Sequence, residues 1–301
     1  MNAISTREAW LAERRTGIGG SDVAAILGVS PYRSALDVFL DKRGLLVDQA
    51  ESEPMRWGTL LEPVVRQEYA NRTGRSVALP EGVLRHPRYG FMLANLDGIA
   101  TDRLYEGKTA RTAEGWGEPG SDEVPQGYLL QVQHYMAVTG YDVTDIAVLI
   151  GGSDFRIYTV EADAELHEML VEAEAEFWRR VTDDDPPEPI TMADALKRWG
   201  RQSRADSVIA CPEVAEAVDQ LRAIKAAQAD LAAREEAAKL TIMAALGDAD
   251  TLVARDGTTL CTWKAAKAAA RLDSRALKAA HPEIYSAFLK ADEPNRRFLI
   301  K

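Results

Sequence analysis

LDGIATDRLYEGKT, residues 96–109, sets two carboxylates and an ammonium group around what reads as a short hairpin. Asp97 stands nine residues before Glu106, and Glu106 stands two before Lys108. Read with its flanks, MLANLDGIAT and RLYEGKT are adjacent antiparallel strands, and Asp102 falls in the turn between them. Asp97 and Glu106 then face one another near a common edge. Residues two apart on a strand share a face, so Glu106 and Lys108 point the same way. Two carboxylates at close range repel unless a divalent cation sits between them. A lysine beside them suits a site where bound water is deprotonated and an oxyanion forms. All-oxygen ligands suit Mg²⁺ or Mn²⁺, and nothing in the spacing resembles a zinc site. The same residues also fit a polar turn closed by a salt bridge, and spacing alone leaves both readings open.

Outward from this stretch, the hydrophobic period changes between 3.6 and two. Upstream, STREAWLAERR, SDVAAILGV and SALDVFLDKRGLL each begin with good N-caps, Ser21 and Asp22 among them. GTLLEPVVRQEYANRTG places Leu60, Leu61, Val64, Val65 and Tyr69 on one helical stripe that ends at Gly74. SVALPEGVLRHP, FMLANLDGIAT and RLYEGKTA read as successive strands. PQGYLLQVQHYMAVTG is a helix ended by Gly140, DVTDIAVLIGGSDFRIYTVEAD a hairpin around GGSD, and AELHEMLVEAEAEFWRRV an amphipathic helix. This order predicts an α/β layer with a mixed central sheet flanked by helices.

TDDDPPEPIT, residues 182–191, cannot continue a helix and reads as a linker. It divides the chain into domains at 1–185 and 186–301. The second begins with about forty residues of strong helix formers whose apolar stripe is sparse. Then come a hairpin around RDGT, a capped helix interrupted at Pro282, and RRFLIK as a terminal strand. Trp263 and Phe298 are expected in the core.

The 301 residues are 46% hydrophobic and 28% charged, which is ordinary for a globular protein. No apolar run reaches the roughly 18 residues of a membrane span, and the start MNAISTREAWLAERRTG has no signal-peptide core. A cytoplasmic protein without membrane partners is expected. Cys211 and Cys261 lack metal-ligand spacing and read as reduced, structural thiols. The net charge of −11 argues against a generic nucleic-acid coat, but a local basic groove suffices to attract phosphates. Residues 251–301 carry ten Lys/Arg against five Asp/Glu, so this segment is +5 and the remainder −16.

Three further features bear on the carboxylates. Glu62 is an acid on an otherwise apolar helix face. Gln131 and Tyr135, four apart in QVQHY, share a face of the next helix. RRTGIGGSDVAAILG is a Gly-rich turn into a helix whose free N–H groups can hold a phosphate. Together RRTGIGGSDVAAILG, MRWGTLLEP, ANLDG, YEGKT and QVQHYMAVTG resemble, in order, the YqaJ-type viral recombinase or lambda exonuclease family of the PD-(D/E)XK nuclease superfamily. The resemblance covers roughly residues 8–180.

The resemblance implies a restriction-endonuclease-like core with a C-terminal helical arm and a small hairpin. Glu62, Asp97, Glu106 and the Gly107 carbonyl would hold Mg²⁺ or Mn²⁺, and Lys108 would be the catalytic lysine. Gln131 would support the site, and Tyr135 would pack beneath it or touch DNA. Arg14 and Ser21 would hold a 5′-terminal phosphate. The implied activity is 5′→3′ degradation of one strand of linear duplex DNA, leaving a 3′ overhang on which a single-strand annealing protein loads. A homo-oligomeric ring, such as a trimer, goes with it. Two positions depart from the family pattern: Gly107 stands where an apolar residue is usual, and Asn95–Leu96 precedes Asp97 where Ser-Pro or Thr-Pro is usual. The alternatives are a PD-(D/E)XK endonuclease and a non-catalytic DNA-binding or assembly module. An iron–sulfur variant would need four cysteines, and the chain has two.

Overall fold

The strand that carries YEGK lies third of five in a mixed sheet, with neighbours on both edges and a helix against each face. The structure, a computed structural model, describes residues 9, 11–46, 52–201, 205–266, 272–290 and 296–300. In chain order the first elements are β1 (Ile18–Gly19), α1 (Gly20–Ile26), α2 (Ala35–Lys42), α3 (Glu53–Thr73), β2 (Val77–Ala78), β3 (Leu84–Arg85) and β4 (Met92–Ala94). There follow β5 (Gly98–Ala100), β6 (Arg103–Ala110), α4 (Gln126–Thr139), β7 (Val143–Ile150), β8 (Asp154–Glu161), α5 (Ala164–Asp183) and α6 (Met192–Trp199).

The main sheet has the order β2-β5-β6-β7-β8. β5 runs antiparallel to β6, with Gly98 opposite Tyr105. β6 runs parallel to β7, with Glu106 beside Ile146 and Lys108 beside Val148. Parallel neighbours need a crossover, and α4 supplies it. β7 and β8 form the expected hairpin. Strand alternation sorts the side chains onto two faces. On one, Ala100, Tyr105 and Ala147 pack against Val65 and Tyr69 of α3. On the other, Leu104, Ile146, Val148 and Tyr158 pack against Val132 and Met136 of α4. Val23, Val38, Phe39, Leu170 and Phe177 then close α1, α2 and α5 around Leu130 of α4. Each such large side chain contributes roughly 1.5–3 kcal/mol on burial. The succession α3, β2, β5, β6, α4, β7 is the restriction-endonuclease-like core.

Four expectations for the first part of the chain are corrected. FMLANLDGIAT is not one strand: β4 joins a small sheet ordered β1-β4-β3, and β5 joins the main one. The chain changes sheets at Asn95–Asp97, which leaves Asp97 at the junction. SVALPEGVLRHP is likewise split between the two sheets, as β2 and β3. On α3 the stripe is only half covered, since Leu60 and Val64 are exposed while Val65 and Tyr69 face the sheet. The N-cap of α1 is Gly19, so Ser21 and Asp22 lie inside its first turn. In STREAWLAERR residues 11–14 are helical, and the expected cap lies outside the described residues.

The chain divides into two compact units, Met1–Ala195 and Leu196–Lys301. The second contains α7 (Pro212–Leu246), β9 (Thr251–Val253), β10 (Thr259–Thr262), α8 (Ser274–Ala280) and α9 (Pro282–Ala287). The helix formers make one 35-residue helix, in which Leu246 alone of the described residues is buried. β9 and β10 form the RDGT hairpin. RRFLI forms no strand; its described residues are irregular, and Arg296 donates its N–H to the Gly200 carbonyl. Trp263 and Phe298 are exposed rather than core, because the unit has little interior to receive them. Cys211 is exposed and Cys261 half-buried, both as free thiols. No helix among the described residues is long and apolar enough to cross a membrane.

Candidate active site

Glu106 and Lys108 share the α4 face of β6, as their two-residue spacing requires. Lys108 Nζ donates to Glu106 Oε1 at 2.6 Å and to Gln131 Oε1 at 3.1 Å. Gln131 Nε2 in turn donates to Glu106 Oε1 at 2.7 Å and to Tyr135 Oη at 3.0 Å. Gln131 and Tyr135 meet because residues four apart on α4 lie one turn above another. The Lys108 ammonium also sits 4.8 Å from the Tyr128 ring centroid, a cation–π contact. Glu106 is 2% exposed. Burial pushes its carboxyl up to about 7, with Asp97 and Glu62 adding to the rise and Lys108 opposing it. For Lys108, burial works against the charge, but Glu106 and Asp97 outweigh it and raise the ammonium.

Asp97 reaches this cluster from the sheet junction, and its Oδ2 accepts the Gly107 N–H at 3.0 Å. Glu62 is less committed. It is 38% exposed, and its Oε1 accepts from Arg66 Nη1 at 3.3 Å. Burial and then Asp97 raise its carboxyl, so it lies within electrostatic reach of the other two acids. Burial and the charge of Asp97 also push the Tyr105 phenol up, which keeps it a protonated donor.

The Gly-rich turn forms the opposite wall. Asp22 is fully buried and gathers four donors: Arg14 at 2.9 Å, Arg33 at 3.0 Å, Lys42 at 2.6 Å and the Gly19 N–H at 3.2 Å. Burial alone would raise its carboxyl, but Lys42, Arg14 and Arg33 together hold it well below the usual range. Lys42 Nζ also donates to the Arg14 carbonyl at 3.0 Å, which ties the segment before the turn to α2. Gly20 lets α1 lie directly on α4: a Cβ there would stand 2.6 Å from Tyr135 Cε1 and 3.0 Å from Gln131 Cγ. The result is a cavity of about 240 Å³, lined on one side by Arg14, Ser21 and Asp22 and on the other by Asp97, Glu106, Lys108, Gln131 and Tyr135.

Of the residues expected from sequence, Arg14, Ser21, Asp97, Glu106, Lys108, Gln131 and Tyr135 thus line one cavity. Tyr135 is buried and packs beneath the others. Glu62 turns to Arg66 instead. Sequence reasoning missed Asn95 in the wall, the Arg33–Asp22–Lys42 cluster and Tyr128. Arg33 and Lys42 lie eleven and twenty residues from Asp22, a separation no local period reports.

Among the described residues, no three acidic, imidazole or thiol side chains converge closely enough to hold a metal ion as they stand. The donor chemistry nevertheless fits a hard divalent cation. Glu106 Oε2 is buried without a hydrogen-bond partner. The carboxylates of Glu62, Asp97 and Glu106 and the Gly107 carbonyl offer oxygen alone, the ligand set of Mg²⁺ or Mn²⁺.

A mixed sheet of this topology, with a carboxylate–lysine pair on its central strand, defines a restriction-endonuclease-like α/β protein. Residues 9–142 match the YqaJ-like viral recombinase domain. The whole chain is 33% identical, over 310 aligned residues, to the protein YqaJ of Bacillus subtilis (strain 168) and spans 96% of it. The chain therefore belongs to the YqaJ-like viral recombinase family. A 57-residue stretch is 42% identical to protein D345L of African swine fever virus, covering 19% of this chain and 16% of that protein. Among solved structures, an alkaline exonuclease (LHK-Exo) from Laribacter hongkongensis aligns with a TM-score of 0.49 at 22% identity, over 64% of this chain and 96% of that one.

Proposed function

We propose that this protein is a metal-dependent 5′→3′ exonuclease that degrades one strand of linear double-stranded DNA and leaves 3′ overhangs. The observation that carries the reading is the closed network of Lys108, Glu106 and Gln131 in a cavity shared with Asp97 and Arg14. In this reading Glu62, Asp97, Glu106 and the Gly107 carbonyl hold Mg²⁺ or Mn²⁺. The ion, when bound, lowers the pKa of water and offsets charge on the scissile phosphate.

The chain's own groups do the rest. Lys108 orients the attacking water and stabilises the charge that develops on the phosphoryl oxygens. Gln131 fixes Lys108 and Glu106 against each other through one amide, and Tyr135 supports Gln131 from below. Arg14 and Ser21 receive the terminal 5′ phosphate, which sets the polarity of attack. Gln131 and Tyr135, both buried, close the α4 side of the cluster. The 3′ overhang suits loading of a single-strand annealing protein in phage-type recombination within a bacterial cytoplasm. Residues 186–301 serve oligomerisation, DNA or partner contact, and a ring around the duplex fits processive degradation.

The reading is tested with Lys108→Ala on linear duplex DNA in Mg²⁺, with and without a 5′ phosphate. The wild type should release 5′-mononucleotides, faster from phosphorylated ends. The variant should lose at least about 10²–10³-fold in rate, the usual cost of a lost charge stabiliser, with unchanged circular dichroism. Full activity in the variant would refute the mechanism.

A further inference from the structure

One polar atom beside the site is used by nothing above. Tyr105 lies in β6, is 1% exposed, and stacks its ring against Tyr69 with centroids 4.9 Å apart. Its Oη is buried and has no hydrogen-bond partner. By strand alternation Tyr105 shares its face with Gly107, on the α3 side of the sheet and away from Lys108. A Cβ on Gly107 would stand 2.9 Å from Tyr105 Oη and 3.7 Å from Asp97 Oδ2. A phenol and a carboxylate oxygen thus border the same small space, which the glycine keeps open. Asp97 Oδ2 spends one lone pair on the Gly107 N–H and has acceptor capacity left.

We propose that Tyr105 is a positioning residue for Asp97: its hydroxyl, unpartnered in this structure, donates to that carboxylate across the bare Cα of Gly107 once a cation draws Asp97 into place. This rests on the reading of Asp97 as a metal ligand. A ligating carboxylate needs a neighbour to fix its orientation, and such partners are worth about 10–100-fold in metal affinity. The backbone N–H of Gly107 holds Asp97 from one side, and Tyr105 holds it from the side facing α3. Glycine at 107 is then part of the same device, since any side chain there meets the hydroxyl.

The test is Mn²⁺ binding by the full chain, followed by electron paramagnetic resonance of free Mn²⁺, together with thermal unfolding. Tyr105→Phe keeps the ring packing and removes only the hydroxyl. It should weaken Mn²⁺ binding about tenfold or more and leave the Tm of the metal-free protein unchanged or slightly raised, since there the hydroxyl is buried without a partner. Gly107→Ala should weaken binding in the wild-type background but add little to Tyr105→Phe, because its Cβ then makes only ordinary contacts, with the ring carbon at 3.5 Å and Asp97 Oδ2 at 3.7 Å. Wild-type Mn²⁺ affinity in Tyr105→Phe would overturn the inference and leave the metal site standing. Failure of the wild type itself to bind Mn²⁺ would overturn the metal reading and the inference with it.

Discussion

Asp22 organises more of the site's outer wall than any residue in contact with Lys108. With Lys42 fully buried beside it and Arg14 and Arg33 on its other oxygen, it pairs with three cations at once. Removing its charge strands Lys42 in the interior, a change that typically costs about 3–5 kcal/mol. Asp22→Asn is therefore expected to lower stability by that order at neutral pH in urea unfolding. Its folded-state carboxyl lies below the ordinary value of 3.8, so its stabilisation is present above that value and is lost as pH falls through the folded one. The gap between wild type and variant should accordingly close as the solution is acidified below about pH 4; a gap constant with pH would show that Asp22 does not act through its charge. Glu106, Lys108, Gln131 and Tyr135 were legible in the sequence because spacings of two on a strand and four on a helix decide which side chains meet. The partners of Asp22 and the hydroxyl of Tyr105 were not, since only tertiary packing brings them to their places.

Helix α4 is the element on which the site depends, because it touches the sheet, α1 and α5 together. Its His134 is fully buried, with Nδ1 2.8 Å from Glu174 Oε1 on α5 and Nε2 2.9 Å from the Leu93 carbonyl. Both ring nitrogens face oxygens, an arrangement that favours the doubly protonated ring. Burial opposes this charge, but Glu174 and the Leu93 carbonyl outweigh it and raise the imidazole above its ordinary 6.5. A raised value means stabilisation that is complete below about pH 6.5 and lost as pH climbs through the folded value. Glu174→Gln should cost about 3–5 kcal/mol at pH 6 and flatten the decline expected of the wild type as pH rises above about 6.5; an unchanged decline would assign it to another group. Most element types here follow from periodicity, while their partners do not. The run FMLANLDGIAT has one continuous period, yet its two halves hydrogen-bond in different sheets. The break at Asn95–Asp97 arises from where β1 and β6 lie, and that is long-range information.

At the scale of the whole molecule, the two units differ in how much they bury. The first holds three apolar clusters, whereas the long helix of the second exposes Val214, Ile224, Leu231 and Leu240. Exposed apolar side chains along a 35-residue helix favour assembly. If the second unit drives oligomerisation, a chain ending at Ala195 should elute as a monomer in light-scattering chromatography. It should still release nucleotides but dissociate after few cleavages. An oligomer of unchanged size would place assembly in the first unit. The parallel pairing of β6 with β7 also sets an order in time. It cannot form until α4 has crossed over, and β8 then completes the sheet at Glu161. Translation at ~5–20 residues per second leaves roughly seven to thirty seconds before residue 301 is added. The residues of the carboxylate–lysine cluster are thus all synthesised while the second unit is still being made, and if that unit drives assembly, a ring is built from subunits whose first unit came first.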